Sequence, residues 1–238
     1  MQSKIIKTFT FLDESGALMP IEGQQRCFYG IGIFKHTHPI QLIQKLHPIF
    51  ENLCATLKKD ETRIEFSFKS TTRSSIKLDL DFLEILKEDF DWEFDCLYFD
   101  TRDGNYKPPT PPIGLWETYV QYSKLLIRNN LWSEEQTVLI ADYQKKPNQS
   151  RKQFEFISLD VPQVYNVLQA ESHCLLLVQA VDILLGGFLY SLQEDRGDKE
   201  GNKTAISKKV IEIKNKVGRK KFNCWPVDWS KSSRVERL

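Results

Sequence analysis

Residues 8–16 read T-F-T-F-L-D-E-S-G, an apolar run that ends in two carboxylates, a serine and a glycine. Because side chains alternate between the two faces of a strand, Phe9, Phe11 and Asp13 would share one face. An ionised carboxylate on an apolar face is costly unless it is paired, hydrogen-bonded, protonated or bound to a metal. The stretch therefore predicts a strand that ends either in a turn capped by its carboxylates or in a functional site.

The sequence around this strand predicts further strands and helices. Residues 27–34, C-F-Y-G-I-G-I-F, form a continuous apolar run that is typical of a strand covered on both faces. Alternation and apolar runs predict strands at 63–69, 92–99, 137–143 and 161–170, and helical spacing predicts helices at 39–57, 74–88, 115–129 and 205–217. Residues 100–114 are rich in proline and predict a binding loop or flap. This order indicates an α/β domain with helices flanking a mixed sheet.

Residues 173–192, H-C-L-L-L-V-Q-A-V-D-I-L-L-G-G-F-L-Y-S-L, predict an unusually apolar helix. Gln179, Asp182 and a glycine pair interrupt a run that is barely long enough to cross a bilayer, so the pattern favours a buried core helix. At helical spacing, Gln179, Asp182 and Gly186 fall on one stripe. The two polar groups would therefore face the same place.

Composition favours a globular protein of the cell interior. The chain has 238 residues, 41% hydrophobic and 12% aromatic, which excludes disordered and fibrous classes. Its five scattered cysteines contain no C-x-x-C pair, which indicates free thiols in a reducing cytoplasm. The first residues lack the pattern of a secretory signal. We expect a cytoplasmic protein without membrane contact.

Charge is distributed unevenly between a main domain at 1–195 and a basic C-terminal extension at 196–238 packed on it. The extension carries 13 Lys/Arg against 5 Asp/Glu, which leaves 20 against 27 in the rest of the chain. Such asymmetry is typical either of contact with a polyanion or of a solvated charged helix. For the first case we expect phosphate contacts from Lys208, Lys209, Lys214, Lys216, Arg219, Lys220 and Lys221.

Three aspartates, Asp13, Asp142 and Asp182, each stand at or inside an apolar element. Together they predict a site for Mg²⁺ or Mn²⁺, because hard divalent ions prefer oxygen ligands. Two such ions can activate water and stabilise the leaving oxygen of a phosphodiester. Glu14, Glu65 and Glu171 are candidates for a further ligand or a water-positioning group, and Lys69 is a candidate phosphate contact.

Structural interpretations of the same residues stay open. Glu14 and Glu171 are also typical of caps or ion pairs, and Gln179 of a side chain that satisfies a backbone group. His173 is typical of a packing or capping residue. Ser15 lacks the G-x-S-x-G setting of a nucleophile, and residues 197–204 lack the spacing of a phosphate-binding loop.

Three motifs resemble those of one family when they are taken in order. F-L-D-E-S-G at 11–16, I-A-D at 140–142 and the segment with Q-A-V-D at 179–182 are similar to the motifs of the bacterial domain of unknown function 3800 family. The last motif departs slightly from the Q-x-A-D that members often have. The resemblance implies a ribonuclease H-like fold with Asp13, Asp142 and Asp182 as metal ligands. It also implies that Glu14, Glu65, Lys69 and Gln179 lie near the metal.

Two functions follow as alternatives from these residues. The first is a nuclease or related phosphodiester hydrolase that depends on Mg²⁺ or Mn²⁺ and acts on nucleic acid. The second is a non-catalytic binding or regulatory protein of a defence system that keeps the fold and the acidic pocket. Cleavage of nucleic acid that requires a metal ion would separate them.

Overall fold

The computed structural model describes residues 5–20, 27–57, 64–193 and 201–226. In chain order, the elements are β1 (Ile6–Gly16), β2 (Phe28–His36), α1 (Pro39–Leu57), α2 (Ile76–Glu88), β3 (Trp92–Asp100), α3 (Ile113–Asn130), β4 (Glu135–Asp142), α4 (Phe154–Leu159), β5 (Val164–Ala170), α5 (Leu176–Ser191), α6 (Asn202–Val217) and β6 (Phe222–Trp225). A short 3₁₀ turn, Ser172–Cys174, precedes α5. The predicted α/β class is confirmed.

The strands form one six-stranded mixed sheet in the order β5-β4-β1-β2-β3-β6. β1, β2 and β3 make an antiparallel meander, and β4 lies parallel to β1 on its other side. β5 extends the parallel half beyond β4, and β6 lies parallel to β3 at the far edge. β1, which ends in D-E-S-G, is therefore an interior strand whose carboxyl end lies beside that of β4.

Helices cover both faces of the sheet. Helices α1, α2, α5 and α6 pack on one face, and α3 and α4 pack on the other. β2 is buried along its whole length, as its continuous apolar run predicts. A Cβ atom added to Gly32 would lie 2.9 Å from Val181 Cγ1, so glycine at this position allows α5 to approach the strand closely.

α5 is the buried core helix that the sequence predicts, and nearly all of its side chains are buried. It begins at Leu176, three residues later than predicted, because His173 and Cys174 belong to the 3₁₀ turn. In the part of the chain that the structure describes, no helix combines the length and apolarity needed to cross a membrane.

The predicted strand at 63–69 is wrong where the structure describes it. Residues 64–67 belong to no helix or strand, and residues 68–70 form a turn. Along residues 64–68, which we call the extended segment, the side chains alternate between buried and half-buried. The backbone N–H of Phe66 donates to Gln179 Oε1 at 2.9 Å, and that of Phe68 donates to Asp182 Oδ2 at 2.8 Å. Alternate N–H groups are therefore satisfied by two side chains one turn apart on α5. The side chains do alternate as the sequence predicts, but the backbone N–H groups bond to a helix and not to a neighbouring strand.

The structure adds two elements that the sequence did not predict. α4 is a short helix between the polar loop at 145–152 and β5. β6 is a short strand in which Phe222 and Cys224 are fully buried. Residues 201–226 thus contribute both a helix and a sheet strand to the same fold. Of the basic extension predicted at 196–238, residues 196–200 and 227–238 lie outside the described residues.

Gly186 allows α5 to contact the extended segment, and Gly186→Ala is expected to weaken that contact. An added Cβ would lie 2.6 Å from Phe68 Cβ, so the segment would have to shift. We expect a loss of about 1–3 kcal/mol in the free energy of unfolding. Thermal unfolding would measure the change. Gly104→Ala is the control because nothing lies within 4 Å of its added Cβ, and an equal effect of both substitutions would contradict the prediction.

Candidate functional site

The carboxyl ends of β1 and β4 bring two of the predicted aspartates to the same edge of the sheet. Leu12 pairs with Ala141 in the parallel register, so Asp13 and Asp142 follow at adjacent positions. Phe11 and Ile140, two residues earlier, belong to the core under α5. Both aspartates therefore extend from the face that α5 covers.

Asp13 is buried, with 6% of its surface exposed. Its Oδ1 accepts a hydrogen bond of 2.8 Å from the backbone N–H of Glu14. Burial raises the pKa of Asp13 well above its usual value, and the negative charges of Glu14, Asp182 and Asp142 raise it further. The protein thus holds four carboxyl groups close enough to disfavour one another's ionisation.

Asp142 lies at the rim of this cluster. Burial raises its pKa to about 6, and the charges of Glu171 and Glu65 act in the same direction. Hydrogen bonds from the backbone N–H groups of Ser172 and Tyr143 act against that rise. The 3₁₀ turn before α5 therefore helps to orient this carboxylate.

Asp182 joins the cluster from α5 and also has a structural contact. Its Oδ2 accepts the hydrogen bond from Phe68 N–H, and the side chain of Ser67 bonds to it as well. Burial raises the pKa of Asp182, and the charge of Glu65 adds to that effect, whereas Lys69 lowers it. Asp182 consequently fixes the extended segment and contributes negative charge to the site.

Glu14 extends toward the opposite face of the sheet from Asp13. Burial raises its pKa to about 7, with a further contribution from Asp142. Gln144 Nε2 donates to Glu14 Oε1 at 2.7 Å and lies 3.4 Å from Asp142 Oδ2. Sequence reasoning missed Gln144, although its position two residues beyond the strand-end aspartate was a usable signal. This amide links Glu14 to the aspartate cluster.

The remaining predicted site residues support the cluster from the extended segment and α5. Glu65 Oε2 accepts a hydrogen bond of 2.8 Å from Ser172 Oγ. Gln179 Nε2 donates to Ser172 O at 3.0 Å, while its Oε1 accepts from Phe66 N–H. Both ends of Gln179 are thus used by backbone groups. Lys69 is exposed and acts on the cluster through its charge.

The donor set of the cluster suits a hard divalent cation. All of the candidate ligands are carboxylate oxygens, and buried Glu14 Oε2 has no hydrogen-bond partner among the described residues. Within those residues, however, no group of three or more His, Cys, Asp or Glu side chains is arranged to hold a metal ion. The carboxylates are near enough to repel one another but are turned toward separate N–H donors. Binding of an ion would therefore require side-chain rotation.

The basic residues predicted to contact nucleic acid fall into two groups. Four of the lysines contact the protein itself. Lys209 pairs with Glu84 and Glu212, and Lys214 lies over the Phe222 ring. Lys216 donates to Lys87 O, and Lys221 donates to Phe90 O. Lys208 and Lys220 are exposed, and Arg219 is exposed as well but interacts with the protein. Much of the positive charge of α6 is thus balanced or used in packing.

Comparison of the chain with protein-family models, with curated proteins and with solved structures finds no match. The resemblance of its motifs to a family therefore stays a prediction.

Proposed function

We propose that this protein is a divalent-metal-dependent nuclease or a related phosphodiester hydrolase. The observation that carries the proposal is the convergence of Asp13, Asp142 and Asp182 from three elements at one edge of the sheet. Burial raises the pKa of each of the three, and the charge of Lys69 opposes that rise at Asp182. Buried acidic clusters with perturbed pKa values are typical of functional sites.

We further propose that the fold is ribonuclease H-like. Its support is the antiparallel meander β1–β3 followed by two parallel strands on the other side of β1. Asp13 lies near the carboxyl end of the interior strand β1, which agrees with what the resemblance of the motifs implies. A crevice at the carboxyl ends of sheet strands is also a common place for ligands in open α/β folds.

The residues of the site would have different tasks in this reaction. Asp13, Asp142 and Asp182 would hold Mg²⁺ or Mn²⁺, which when bound activates water and neutralises charge on a phosphodiester. Exposed Lys69 would contact a phosphate oxygen of the substrate. Gln144 would keep the carboxylates of Glu14 and Asp142 oriented, and Gln179 would hold the extended segment in place.

The alternative is a non-catalytic binding or regulatory protein that retains the acidic pocket. Asp142 and Asp182 already accept hydrogen bonds from backbone N–H groups, so they can serve the fold without a metal. Such a protein would bind nucleic acid or a partner without cleaving it.

Cleavage assays on a mixed panel distinguish the two functions. Single- and double-stranded DNA and RNA would be incubated with the full chain in Mg²⁺, in Mn²⁺ and in EDTA. We expect cleavage of at least one substrate in the presence of a metal ion and none in EDTA. Binding without cleavage of any substrate in either ion would support the alternative and reject the hydrolase.

The exposed basic residues of α6 and the following turn are expected to contribute to nucleic-acid binding through charge. Neutralising Lys208 and Lys220 together should lower the slope of log affinity against log salt by up to about 1.4–1.8, since each phosphate contact contributes about 0.7–0.9. Titrations at several salt concentrations would measure the slope. Lys7→Gln is the control, because this exposed lysine lies at the other end of β1 from Asp13. An unchanged slope in the double variant would mean that the lysines are only solvated.

A further inference from the structure

A cavity of about 440 Å³ lies on the face of the sheet opposite to Asp13 and Asp142. Its lining includes Glu14 from β1, Tyr29 from β2 and Trp116 and Tyr119 from α3. The volume falls in the range of about 300–1,000 Å³ that is typical of small-molecule sites. The cavity is therefore large enough for a substrate group.

Fixed aromatic side chains form much of the wall. Trp116 Nε1 donates to Lys152 O at 2.8 Å, which holds the indole in place. Tyr119 stacks on Phe154 with ring centroids 5.5 Å apart and an interplanar angle of 20°. Alanine, leucine, methionine and proline side chains complete the apolar part of the lining. Such a surface suits a flat aromatic group.

Two residues of the lining carry a buried polar atom that has no hydrogen-bond partner among the described residues. They are Glu14 Oε2 and Tyr119 Oη. Burial, with a further contribution from Glu14, raises the pKa of Tyr119 well above its usual value, so its hydroxyl keeps its proton. Buried polar atoms usually have partners, and leaving one unsatisfied is costly. Both atoms are closed to solvent, so a ligand that offers one donor and one acceptor would satisfy them once the two side chains turn toward the cavity.

We propose that this cavity receives one unstacked nucleobase of the substrate, with Glu14 and Tyr119 bonding to its edge and the aromatic wall contacting its ring. The inference rests on the proposed function and names the part of the substrate that the site holds. Every nucleobase presents both an N–H donor and an acceptor along its pairing edge. Exposed Lys145, which also lines the cavity, is available for the adjoining phosphate.

The cavity and the aspartate cluster are connected through Gln144. This residue lines the cavity and donates to Glu14, and its Nε2 lies 3.4 Å from Asp142 Oδ2. A nucleotide whose base occupied the cavity would place its backbone at the strand ends that carry Asp13 and Asp142. Because a base must leave its stack to enter, single strands and unpaired positions would be preferred over duplex.

The test compares two labelled single-stranded hexanucleotides by fluorescence anisotropy in EDTA. One carries a single adenine and the other has the same backbone without any base. We expect the strand with adenine to bind at least about tenfold more tightly, since stacking of one base on aromatic side chains has an effect of that order. Equal affinities for the two strands would overturn the proposal.

Tyr119→Phe removes only the unpartnered hydroxyl and should weaken binding of the adenine strand severalfold without affecting the abasic strand. Tyr122→Phe is the matched control, since it makes the same change on α3 outside the cavity. Glu14→Gln is a second variant should Tyr119→Phe lower the melting temperature. Equal effects of Tyr119→Phe and Tyr122→Phe, together with no effect of Glu14→Gln, would also overturn the proposal.

The same samples separate this inference from the proposed hydrolase activity. If no strand is cleaved in Mn²⁺ but affinity still depends on the base, the hydrolase is rejected and the base cavity stands. If both strands bind with equal affinity and are cleaved at equal rates in Mn²⁺, the hydrolase is supported and the base cavity is rejected.

Discussion

Asp13→Asn is expected to abolish metal-dependent cleavage, with a loss of at least about a thousandfold, which corresponds to ~4 kcal/mol of transition-state stabilisation. Asparagine keeps the size of the side chain and still accepts the hydrogen bond from Glu14 N–H. It loses the negative charge that a divalent cation requires. The substitution therefore tests the ligand role without disturbing the strand.

Initial rates of cleavage in Mg²⁺ and Mn²⁺ would measure the effect, and Asp142→Asn should behave in the same way. Asp160→Asn is the matched control, because that aspartate is 61% exposed and pairs with Lys124 at the surface. Its loss should leave the rate unchanged, since exposed ion pairs contribute little. Full activity in Asp13→Asn would exclude the metal site as proposed.

The sequence predicted the convergence of the aspartates because two simple periods govern their positions. Alternation along β1 and β4 assigned Asp13 and Asp142 to the faces of their strands that carry apolar side chains. The 3.6-residue period of α5 assigned Asp182 and Gln179 to one stripe. Both periods are local properties of the chain, so they could be read before the fold was known.

Features that depend on distant partners could not be predicted in this way. The sequence of residues 64–69 alternates as in a strand, but its backbone N–H groups donate to Gln179 and Asp182, more than a hundred residues away. A local pattern cannot distinguish such partners from a neighbouring strand. The link made by Gln144 and the cavity beneath α3 likewise depend on packing. In the same way, charge alone could not show that lysines such as Lys209 and Lys214 contact the protein itself.

Mn²⁺ is expected to stabilise the wild type, because the metal-free protein holds repelling carboxylates. The folded-state pKa values of Glu14 and Asp142 are raised to about 7 and about 6. The stability that these groups contribute is fully present below about pH 4 and is lost as the pH rises through 6–7. The metal-free protein should therefore melt at a lower temperature at about pH 8 than at about pH 5. The gain from Mn²⁺ should be largest at the higher pH.

An ion that binds only the folded state raises the free energy of unfolding by about 2.7 kcal/mol when its free concentration is a hundred times its Kd. For a chain of this size, the melting temperature should rise by roughly 5–10 °C. Asp182→Asn should lose most of this response. Without metal, the variant should melt at or above the wild type, because asparagine removes a repelling charge while its Oδ1 can still accept from Phe68 N–H.

Differential scanning calorimetry with and without Mn²⁺ would measure these shifts. Asp79→Asn is the matched control, because Asp79 is also buried and its pKa is also raised to about 6, mainly by burial, but it lies on α2 and bonds to Ser75. Its response to Mn²⁺ should equal that of the wild type. If Asp182→Asn instead loses several kcal/mol without metal and Mn²⁺ shifts every protein equally, Asp182 only anchors the extended segment. Loss of a buried partner explains the lower stability without any metal. Loss of a metal ligand would also reduce the response to Mn²⁺, so an equal response would mean that the metal binds elsewhere.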